Sequence, residues 1–568
     1  MTPHRQPAPL LETRPGGGRA LEASRTRLVV AGIVFAAIFA VVGLRVLMLA
    51  APGETGTDAV AAGTDGDTSG PRRADIVDRN GELLATTLPT ASLYADPSRV
   101  GDPDELAARL SAILPNRSRE RLTKLLSRNG EFVWIERGLT PRQHDRLNRL
   151  GSPALGFREE PERYYPHGEL TAHLVGFTDV DGRGLAGVEK SFEDTLRERE
   201  RPLRLSVDVR VQHVLTDELR GAQERFDAKG AAGVVMDADT GELVAMTSLP
   251  AFDPQTPGDA PGQARFDRAT QGVYEMGSVF KVFSAAAALD SPAVQINDSY
   301  GVDEPVQLAG YTVRDFHDNE GELTVPEVFM KSSNIGTVKM TRAAGAQHLP
   351  ETLSALGLTR RAPVRLPSVS RPVTPDPWKR INAVTASYGH GVAVPPMNVA
   401  AAVAATVNGG TLPEPTVRPA TGQRAGKRVF SRDTSRTMRE MMRLVVTHGT
   451  GSKAAAEGYR VGGKTGTADK VERGRYSRTA RIASFAGAFP MDDPEYVIFA
   501  LVDEPQPQEA SFGYATGGWV AAPAVRRVVE RIGPMLGVRP EDGITVPEQE
   551  NVPLLRRAKR EDVQVAAR

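Results

Sequence analysis

An uncharged apolar run near the N-terminus is the feature that most constrains how this chain can fold. It reads LVVAGIVFAAIFAVVGL from Leu28 to Leu44, and after Arg45 it continues as VLMLAA to Ala51. A helix needs about 20 apolar residues to cross a bilayer, and an arginine near one end can extend its charge to the headgroups. Arginines also precede the run, at positions 5, 14, 19, 25 and 27. Because positive charge stays in the cytoplasm, the sequence predicts a cytoplasmic tail over 1–27, a single N-terminal transmembrane helix over 28–50 and export of the rest.

A cleaved signal peptide is the alternative for this segment. Its apolar region is usually about 7–15 residues long and is followed by a small-residue cleavage site. The sequence Ala50-Ala51-Pro52 keeps that alternative open. The length of the run favours an uncleaved anchor, with everything after it exported from the cytoplasm. Residues 51–71 are rich in Gly, Thr and Asp and show no periodicity, which predicts a flexible linker.

Charge and composition exclude several classes of function. Lys+Arg and Asp+Glu both number 70, so no global basic field points to nucleic acid. The chain has no cysteine, which excludes a thiol nucleophile, a zinc–thiolate site and a disulfide framework. No His-x-x-x-His pair and no Walker-type glycine loop occurs. The sequence therefore predicts no metal, no cofactor and no nucleic-acid partner.

Two structured modules are expected after the linker, so the predicted fold class is multidomain α+β. In residues 72–203, an Asn-Gly at 80–81 between short apolar runs predicts a hairpin. Three amphipathic helices are expected, at about 103–114, 118–128 and 140–150. Ser118 is the expected N-cap of the second helix and Thr140 that of the third. This module carries no obvious chemistry.

Residues 204–535 predict a second module in which strands lie at both ends and helices lie between them. Strands are expected on both sides of a turn at 237–242 and again at 459–468, 481–489 and 495–503, before a last helix at 520–533. Such an order implies one antiparallel sheet with a helical subdomain, and a site between the sheet edge and the helical lobe. Residues 536–568 are polar and predict a loose tail.

The first of three chemical motifs is Ser278-Val279-Phe280-Lys281. A spacing of three places Ser278 and Lys281 on one face of a helix, and the small and apolar residues that follow predict that this helix is buried. A buried lysine loses charge because desolvation lowers its pKa, and the neutral amine can then accept the serine proton. The alternative is a helix-capping serine with a surface lysine.

The second and third motifs are Ser332-Ser333-Asn334 and Lys464-Thr465-Gly466-Thr467. The first can place a hydroxyl and a carboxamide opposite the nucleophile, although such a tripeptide alone is most often a turn or a cap. The second lies in a Gly-rich strand, where close approach by another backbone, here an extended peptide substrate, is expected. The three motifs in this order are typical of serine acyl-transferases that use lysine as the base.

Histidine offers no competing catalytic pattern. His317, His390 and His448 are scattered, and none accompanies a Gly-x-Ser-x-Gly sequence. His390 can line the cleft, but a structural role in a turn is the expected one.

The chain resembles the class B penicillin-binding proteins, which are monofunctional peptidoglycan D,D-transpeptidases, and among them the septal, cell-division type. The resemblance runs from the anchor to about Ile532. Besides the three motifs it rests on Arg163-Tyr164-Tyr165-Pro166, the stretch TAHLVGFT at 171–178, GVEKSF at 187–192 and 461–468. It implies an elongated, dimerisation-type pedestal over 72–203, in which Arg163 and Glu189 tie the module together, and a β-lactamase-like transpeptidase domain over 204–535. One departure is Arg72-Arg73-Ala74-Asp75, where the family usually has Arg-Gly.

The resemblance also implies roles for individual residues. Ser278 would attack the penultimate D-Ala carbonyl of a stem pentapeptide and expel the terminal D-Ala, with Lys281 as the base. Ser332 and Lys464 would form the proton-transfer and electrostatic network, and the backbone N–H groups of Ser278 and Thr467 the oxyanion hole. β-Lactams would acylate the same serine. The residues that would bind the donor are Asn334, Thr465, Gly466 and Thr467.

Partners and alternatives follow from the same resemblance. It implies contact with the membrane, with a polytopic division glycosyltransferase and with other divisome proteins at the septum. The nearest alternative is an elongation-type class B transpeptidase, which differs in its interaction surfaces. A β-lactamase or β-lactam sensor and a catalytically inactive scaffold are the more distant ones.

Overall fold

The structure is a computed structural model that describes residues 73–198, 201–308, 311–420, 426–472, 474–541 and 544. The predicted cytoplasmic tail, the membrane helix over 28–50, the linker over 51–71 and most of the tail over 536–568 lie outside the described residues. Within the ranges described, no helix is both long enough and apolar enough to cross a bilayer.

The first part of the described chain is built on a five-stranded sheet. Its strands are β1 (Ile76–Val77), β2 (Leu83–Ala95), β3 (Val133–Leu139), β4 (Leu155–Tyr164) and β5 (Leu203–Arg204). Strand β2 pairs antiparallel with β1, β3 and β4, and β5 pairs with β1 in parallel. The hairpin predicted at Asn80-Gly81 is confirmed. Its second strand runs beyond the expected Thr87, because β4 pairs with β2 as far as Ala95.

Six helices accompany this sheet. The three predicted ones are confirmed with slightly shorter ends, and Ser118 and Thr140 accept backbone hydrogen bonds from Arg121 and Gln143 as their N-caps. Leucines on their inner faces pack with β2 and β3 into one apolar cluster. The helices are α1 (Pro103–Ser111), α2 (Arg119–Leu126), α3 (Pro141–Asn148), α4 (Ala172–Val175), α5 (Gly187–Ser191) and α6 (Glu193–Glu198).

A buried ion cluster ties this part together. Glu189 accepts hydrogen bonds from Arg73 Nε at 2.6 Å and from Arg163 Nε at 2.7 Å, and Arg73 also pairs with Glu193 at 2.8 Å. Glu189 is fully buried. Arg163 and Glu189 therefore lie in contact, as the resemblance implied.

The second part contains a larger sheet and several short strand pairs. Its strands are β6 (Gly230–Asp237), β7 (Leu243–Leu249), β8 (Tyr274–Glu275), β9 (Ser299–Gly301), β10 (Val306–Leu308), β11 (Tyr311–Val313), β12 (Glu322–Thr324), β13 (Ala393–Val394), β14 (Thr411–Leu412), β15 (Lys427–Arg428), β16 (Gly462–Glu472), β17 (Arg475–Phe489) and β18 (Tyr496–Asp503). The larger sheet is antiparallel, with the order β16-β17-β18-β6-β7. The prediction that strands from both ends of this module form one sheet is therefore confirmed.

Helices cover both faces of this sheet. Alternate residues of β18 point to opposite faces: Val497 and Phe499 join one apolar cluster, while Ile498 and Ala500 join the other. The helices of this part are α7 (Val209–Arg225), α8 (Gly262–Arg265), α9 (Lys281–Asp290), α10 (Val325–Met330), α11 (Asn334–Ala344), α12 (His348–Ala355), α13 (Arg380–Ala386), α14 (Pro396–Val407), α15 (Arg432–His448) and α16 (Ala521–Met535). Helices α7 and α16 cover the second face of the sheet, and α9, α14 and α15 cover the first.

Candidate active site

Ser278 lies in a 3₁₀ turn, Gly277–Phe280, that leads directly into α9. The turn packs tightly against the edge strand β16: at Gly277, which has φ +51°, an added Cβ would lie 2.3 Å from the Thr467 carbonyl oxygen. Only glycine fits such a contact. The predicted buried helix is confirmed, because residues 281–288 are all buried. Its α-helical part begins at Lys281, so Ser278 precedes it by one turn.

Lys281 is buried against the second motif. Its side chain is 1% exposed, and its Nζ donates hydrogen bonds to Ser332 O at 2.5 Å, Ser332 Oγ at 3.2 Å and Asn334 Oδ1 at 2.7 Å. Burial lowers the pKa of Lys281 well below its ordinary value, and the nearby Lys464 lowers it further, while the Asp315 carboxylate opposes the shift. The expected neutral amine is thus favoured, although these hydrogen bonds go to Ser332 and Asn334 rather than to Ser278.

Ser332 bridges the two buried amines. Its Oγ accepts from Lys281 at 3.2 Å and from Lys464 Nζ at 2.9 Å. Ser332 has φ +61°, an uncommon conformation for a residue with a side chain, and it occupies the short connection between α10 and α11. The next residue, Ser333, caps α11 by accepting the Gly336 N–H at 2.9 Å. The motif therefore supplies one bridging hydroxyl and one helix cap.

Asp315 is a functional candidate that the sequence patterns did not reveal. Its carboxylate accepts the backbone N–H of Asn334 at 2.6 Å and that of Ile335 at 2.9 Å, at the N-terminus of α11. A carboxylate at this end of a helix satisfies free N–H groups and the positive end of the dipole. Asp315 thereby positions Asn334, whose amide nitrogen also donates to Arg314 O at 3.0 Å. No local spacing signals this contact, which joins a loop to a distant helix.

The third motif forms part of β16, at the edge of the sheet. Lys464 is fully buried, and desolvation lowers its pKa to about 7. Thr465 Oγ1 lies 2.7 Å from Thr450 Oγ1, and Thr467 Oγ1 accepts the Gly517 N–H at 3.1 Å. These contacts hold both threonine side chains in fixed positions.

Two glycines of β16 are required by close contacts within the protein. An added Cβ at Gly466 would lie 2.4 Å from Met276 O and 2.5 Å from Ser484 Oγ, and one at Gly463 would lie 2.4 Å from the Phe485 ring. At these two glycines the close approach is made by the protein itself. The expectation that an extended peptide substrate adds to the edge of this strand stays a prediction.

One cleft of about 640 Å³ is lined by members of all three motifs. Ser278, Ser332, Asn334, Thr465 and Thr467 line it. Lys281, Lys464 and Gly466 lie behind this lining and are buried. Other lining residues, most of which no motif singled out, are Phe316, His317, Tyr388, His390, Thr450, Ser452, Lys453, Asp469, Arg481, Tyr514 and Trp519.

The arrangement suits acyl transfer. A hydroxyl in the cleft, two buried amines of lowered pKa and a hydroxyl that bridges them provide a nucleophile, a base and a proton path. In the part of the chain that the structure describes, no group of three or more His, Asp or Glu side chains lies close enough to bind a metal ion.

Two family models match this chain. Residues 231–530 match the penicillin binding protein transpeptidase domain, and residues 68–221 match the penicillin-binding protein dimerisation domain.

Individual proteins are similar over most of the chain. A probable peptidoglycan D,D-transpeptidase FtsI of Caulobacter vibrioides is 42% identical over 482 residues, which cover 82% of each chain. The peptidoglycan D,D-transpeptidase FtsI of Escherichia coli K12 is 31% identical over 506 residues, covering 83% of this chain and 84% of that one. A peptidoglycan synthetase structure from Bifidobacterium adolescentis superposes with a TM-score of 0.65 over 85% of this chain and 98% of that chain. At 21% identity, that structure supports the fold alone.

Proposed function

This chain belongs to the class B penicillin-binding proteins and is a serine-type peptidoglycan D,D-transpeptidase of the septal type, and we propose that Ser278 is the residue that carries the acyl group. The observation that carries the proposal is the hydrogen-bonded series Lys281–Ser332–Lys464, whose middle member Ser332 lines the same cleft as Ser278.

In the acylation step, the Lys281 amine takes the proton from Ser278 Oγ. The oxygen attacks the penultimate D-Ala carbonyl of the donor stem peptide, and the peptide bond to the terminal D-Ala breaks. The leaving nitrogen receives its proton through Ser332 Oγ, which contacts both lysine amines. An acceptor amine then attacks the ester, forms the cross-link and returns a proton to Ser278. β-Lactams acylate the same oxygen as donor mimics.

Donor binding involves the motif residues in front of the lysines. The Asn334 side chain contacts an amide of the donor, and its Oδ1 is positioned by Lys281 Nζ at 2.7 Å. The hydroxyls of Thr465 and Thr467 contact the terminal carboxylate, which the charge of Lys464 attracts when that amine is protonated. Gly466, in the same strand, can contribute only its backbone to donor binding. The N–H groups of Ser278 and Thr467 form the oxyanion hole, which the close packing of Gly277 on Thr467 supports.

The membrane anchor and the partners are further parts of this proposal. Residues 28–50 cross the inner membrane once, with the catalytic part outside the cytoplasm, and the chain assembles with a polytopic division glycosyltransferase and other divisome proteins. The uncharged apolar run supports the anchor. Removing residues 1–51 should move the protein from the membrane fraction to the soluble fraction, and a fluorescent fusion should lie at mid-cell. Lateral-wall fluorescence would favour the elongation type.

Intact-mass analysis after incubation with a penicillin tests the site. We expect one adduct, mapped by peptide sequencing to Ser278, and no adduct in Ser278→Ala. The control is Ser452→Ala, which removes another serine hydroxyl from the cleft lining and should keep the adduct. An adduct on any other residue would overturn the assignment.

A further inference from the structure

His390 stands in the same cleft as the nucleophile, although it belongs to none of the three motifs. Its half-buried side chain lines the cleft together with Ser278 and Tyr388. The ring packs against Tyr388 with centroids 4.9 Å apart and against Tyr476 with centroids 5.6 Å apart. Its Nδ1 is buried without a hydrogen bond of normal geometry, although the Tyr388 carbonyl contacts the ring.

The backbone around His390 is fixed relative to Ser278. At Gly389, φ is +88° and an added Cβ would lie 2.0 Å from Gly277 O, so this loop touches the nucleophile turn directly. Two residues further on, the Gly391 N–H donates to Glu275 Oε1 at 2.9 Å. Strand β13 then pairs with β8, which is the strand just before the nucleophile turn.

A second set of contacts fixes the ring itself. The Tyr476 hydroxyl donates to Glu275, with both carboxylate oxygens 3.2 Å away, and Tyr476 contacts one side of the imidazole. Tyr388 contacts the ring from its own loop. Aromatic rings from two elements therefore contact the imidazole and restrict its orientation.

The surroundings keep this imidazole uncharged near neutral pH. Burial lowers the pKa of His390, and the nearby Lys281 lowers it further, whereas Asp469 and the Tyr388 carbonyl oppose the shift. Burial raises the pKa of the Glu275 carboxyl, whereas its hydrogen bonds from the Gly391 N–H and the Tyr476 hydroxyl oppose the shift. The charged and titratable groups facing the ring from neighbouring elements are Lys281, Asp469, Glu275, Tyr388 and Tyr476.

The transfer step must remove two protons from the acceptor ammonium, and the motif residues account for only one of them. A primary amine acceptor is an ammonium ion near neutral pH and must lose one proton before it can attack an ester. Lys281 is engaged by Ser332 and Asn334, and Lys464 by Ser332. Among the other cleft-lining groups, Asp469 is paired with Arg481 at 3.1 Å, and His317 is exposed beside Phe316. His390 is an unpaired base whose ring lines the same cleft as Ser278 and whose neighbour Gly389 packs on the nucleophile turn.

We propose that His390 is a catalytic base of the transfer half-reaction, which takes the first proton from the acceptor ammonium in the cleft. The ammonium loses that proton to the imidazole, which holds it as an imidazolium during the attack and releases it to solvent afterwards. The neutral amine then attacks the Ser278 ester, forming the C–N bond as the C–O bond breaks. The second amine proton passes through Lys281 to Ser278 Oγ. This inference rests on the proposed function, because it assigns the second half of the same reaction.

The test separates acylation from transfer. Purified protein receives a D-alanyl thioester as donor and glycylglycine as acceptor amine, and mass spectrometry measures the ratio of amide product to hydrolysed donor. The variant is His390→Gln, and the matched control is His317→Gln, the other cleft-lining histidine. The second-order rate of penicillin acylation is measured for both variants, and this rate also reports correct folding.

In His390→Gln we expect the product ratio at pH 6.5 to fall about 100-fold, because general base catalysis is worth about 10²–10⁴-fold. At pH 9.5 the ratio should recover to within a few-fold of the unsubstituted protein, because a peptide α-amino group with a pKa of about 8 is then already neutral. Penicillin acylation should stay within about threefold, and His317→Gln should resemble the unsubstituted protein.

Other outcomes overturn the assignment. An unchanged ratio at pH 6.5, a loss that persists at pH 9.5, or a parallel loss of penicillin acylation each shows that His390 is not the acceptor's base. Failure of the unsubstituted protein to form any Ser278 adduct would instead contradict the proposed function, so the two failures are distinguishable.

Discussion

The amine of Lys464 lies 2.9 Å from the hydroxyl of Ser332, although the two residues are 132 positions apart in the chain. Both lysines that contact this hydroxyl are buried, and their charges repel one another, so the pKa of each depends on the other's protonation. The pH dependence of the proposed proton path therefore reflects the coupled titration of Lys281 and Lys464.

The pH profile of acylation gives the first prediction. Protonation of Lys281 stops it acting as a base, so the rate of penicillin acylation falls as pH decreases through its lowered pKa. The charge of Lys464 lowers that pKa. Lys464→Met removes the charge, so the pKa of Lys281 rises and the low-pH limb moves to higher pH. Stopped-flow acylation rates between pH 5 and 9 measure this shift.

The control for this profile is Lys453→Met. Lys453 also lines the cleft, but its Nζ lies over the Trp519 ring at 3.9 Å and does not contact the Lys281 network. In Lys453→Met, the low-pH limb of the acylation rate profile should not move. A limb that stays in place, or moves to lower pH, in Lys464→Met contradicts the coupling.

Asp315 gives a second prediction, with the opposite sign. Asp315→Ala removes the acceptor of the Asn334 and Ile335 N–H groups, and loss of a helix cap costs about 0.5–2 kcal/mol. Because Asn334 is then less well positioned, we expect acylation at neutral pH to slow about tenfold, which corresponds to about 1.4 kcal/mol. Asp315 also raises the pKa of Lys281, so the low-pH limb should move to lower pH.

Asp303 offers a matched control for the same helical lobe. Its carboxylate accepts one backbone N–H, that of Gly321 at 2.7 Å, away from the cleft lining. Asp303→Ala should change the unfolding temperature by a similar small amount and leave acylation unchanged. Equal acylation rates in the two variants would exclude a positioning role for Asp315.

Two glycines of one loop give a third prediction. Gly389 and Gly391 have φ of +88° and +79°, so alanine at either position costs about 1–2 kcal/mol in backbone strain. At Gly389 the added Cβ would also lie 2.0 Å from Gly277 O, whereas at Gly391 the nearest atom is Thr385 Oγ1 at 3.7 Å. We expect Gly389→Ala to displace the Ser278 turn and slow acylation at least about tenfold. Gly391→Ala should lower only the unfolding temperature, and similar acylation rates would contradict the packing argument.

The buried ion cluster of the first part gives a fourth prediction. Glu189→Gln leaves Arg73 and Arg163 without their shared carboxylate, and breaking a buried ion pair costs about 3–5 kcal/mol. The exposed pair Arg149–Asp145, with side chains 77% and 56% exposed, is the control. Asp145→Asn should cost no more than about 1 kcal/mol. Thermal unfolding of both variants measures the difference, and equal midpoints would show that the cluster is not stabilising.

Local elements were largely predictable, because their signals lie within a few residues of one another. Ser118 and Thr140 marked helix starts, and Asn80-Gly81 marked a hairpin. Element ends were less well predicted. The continuation of β2 depends on pairing with β4, some 70 residues away in the chain, as in the Thr90–Glu160 contact.

The sequence by itself determined the order of the elements, the three motifs and the family resemblance, since each depends on residue types at short spacings. Only the tertiary structure decided which groups meet: Lys281 with Ser332 across 51 positions, Asp315 with the start of α11, and Gly389 with the nucleophile turn. The physical reason is that the reactivity of these groups comes from desolvation and from contacts between distant segments. Both exist only once the sheet edge, the helical lobe and their connecting loops are packed together.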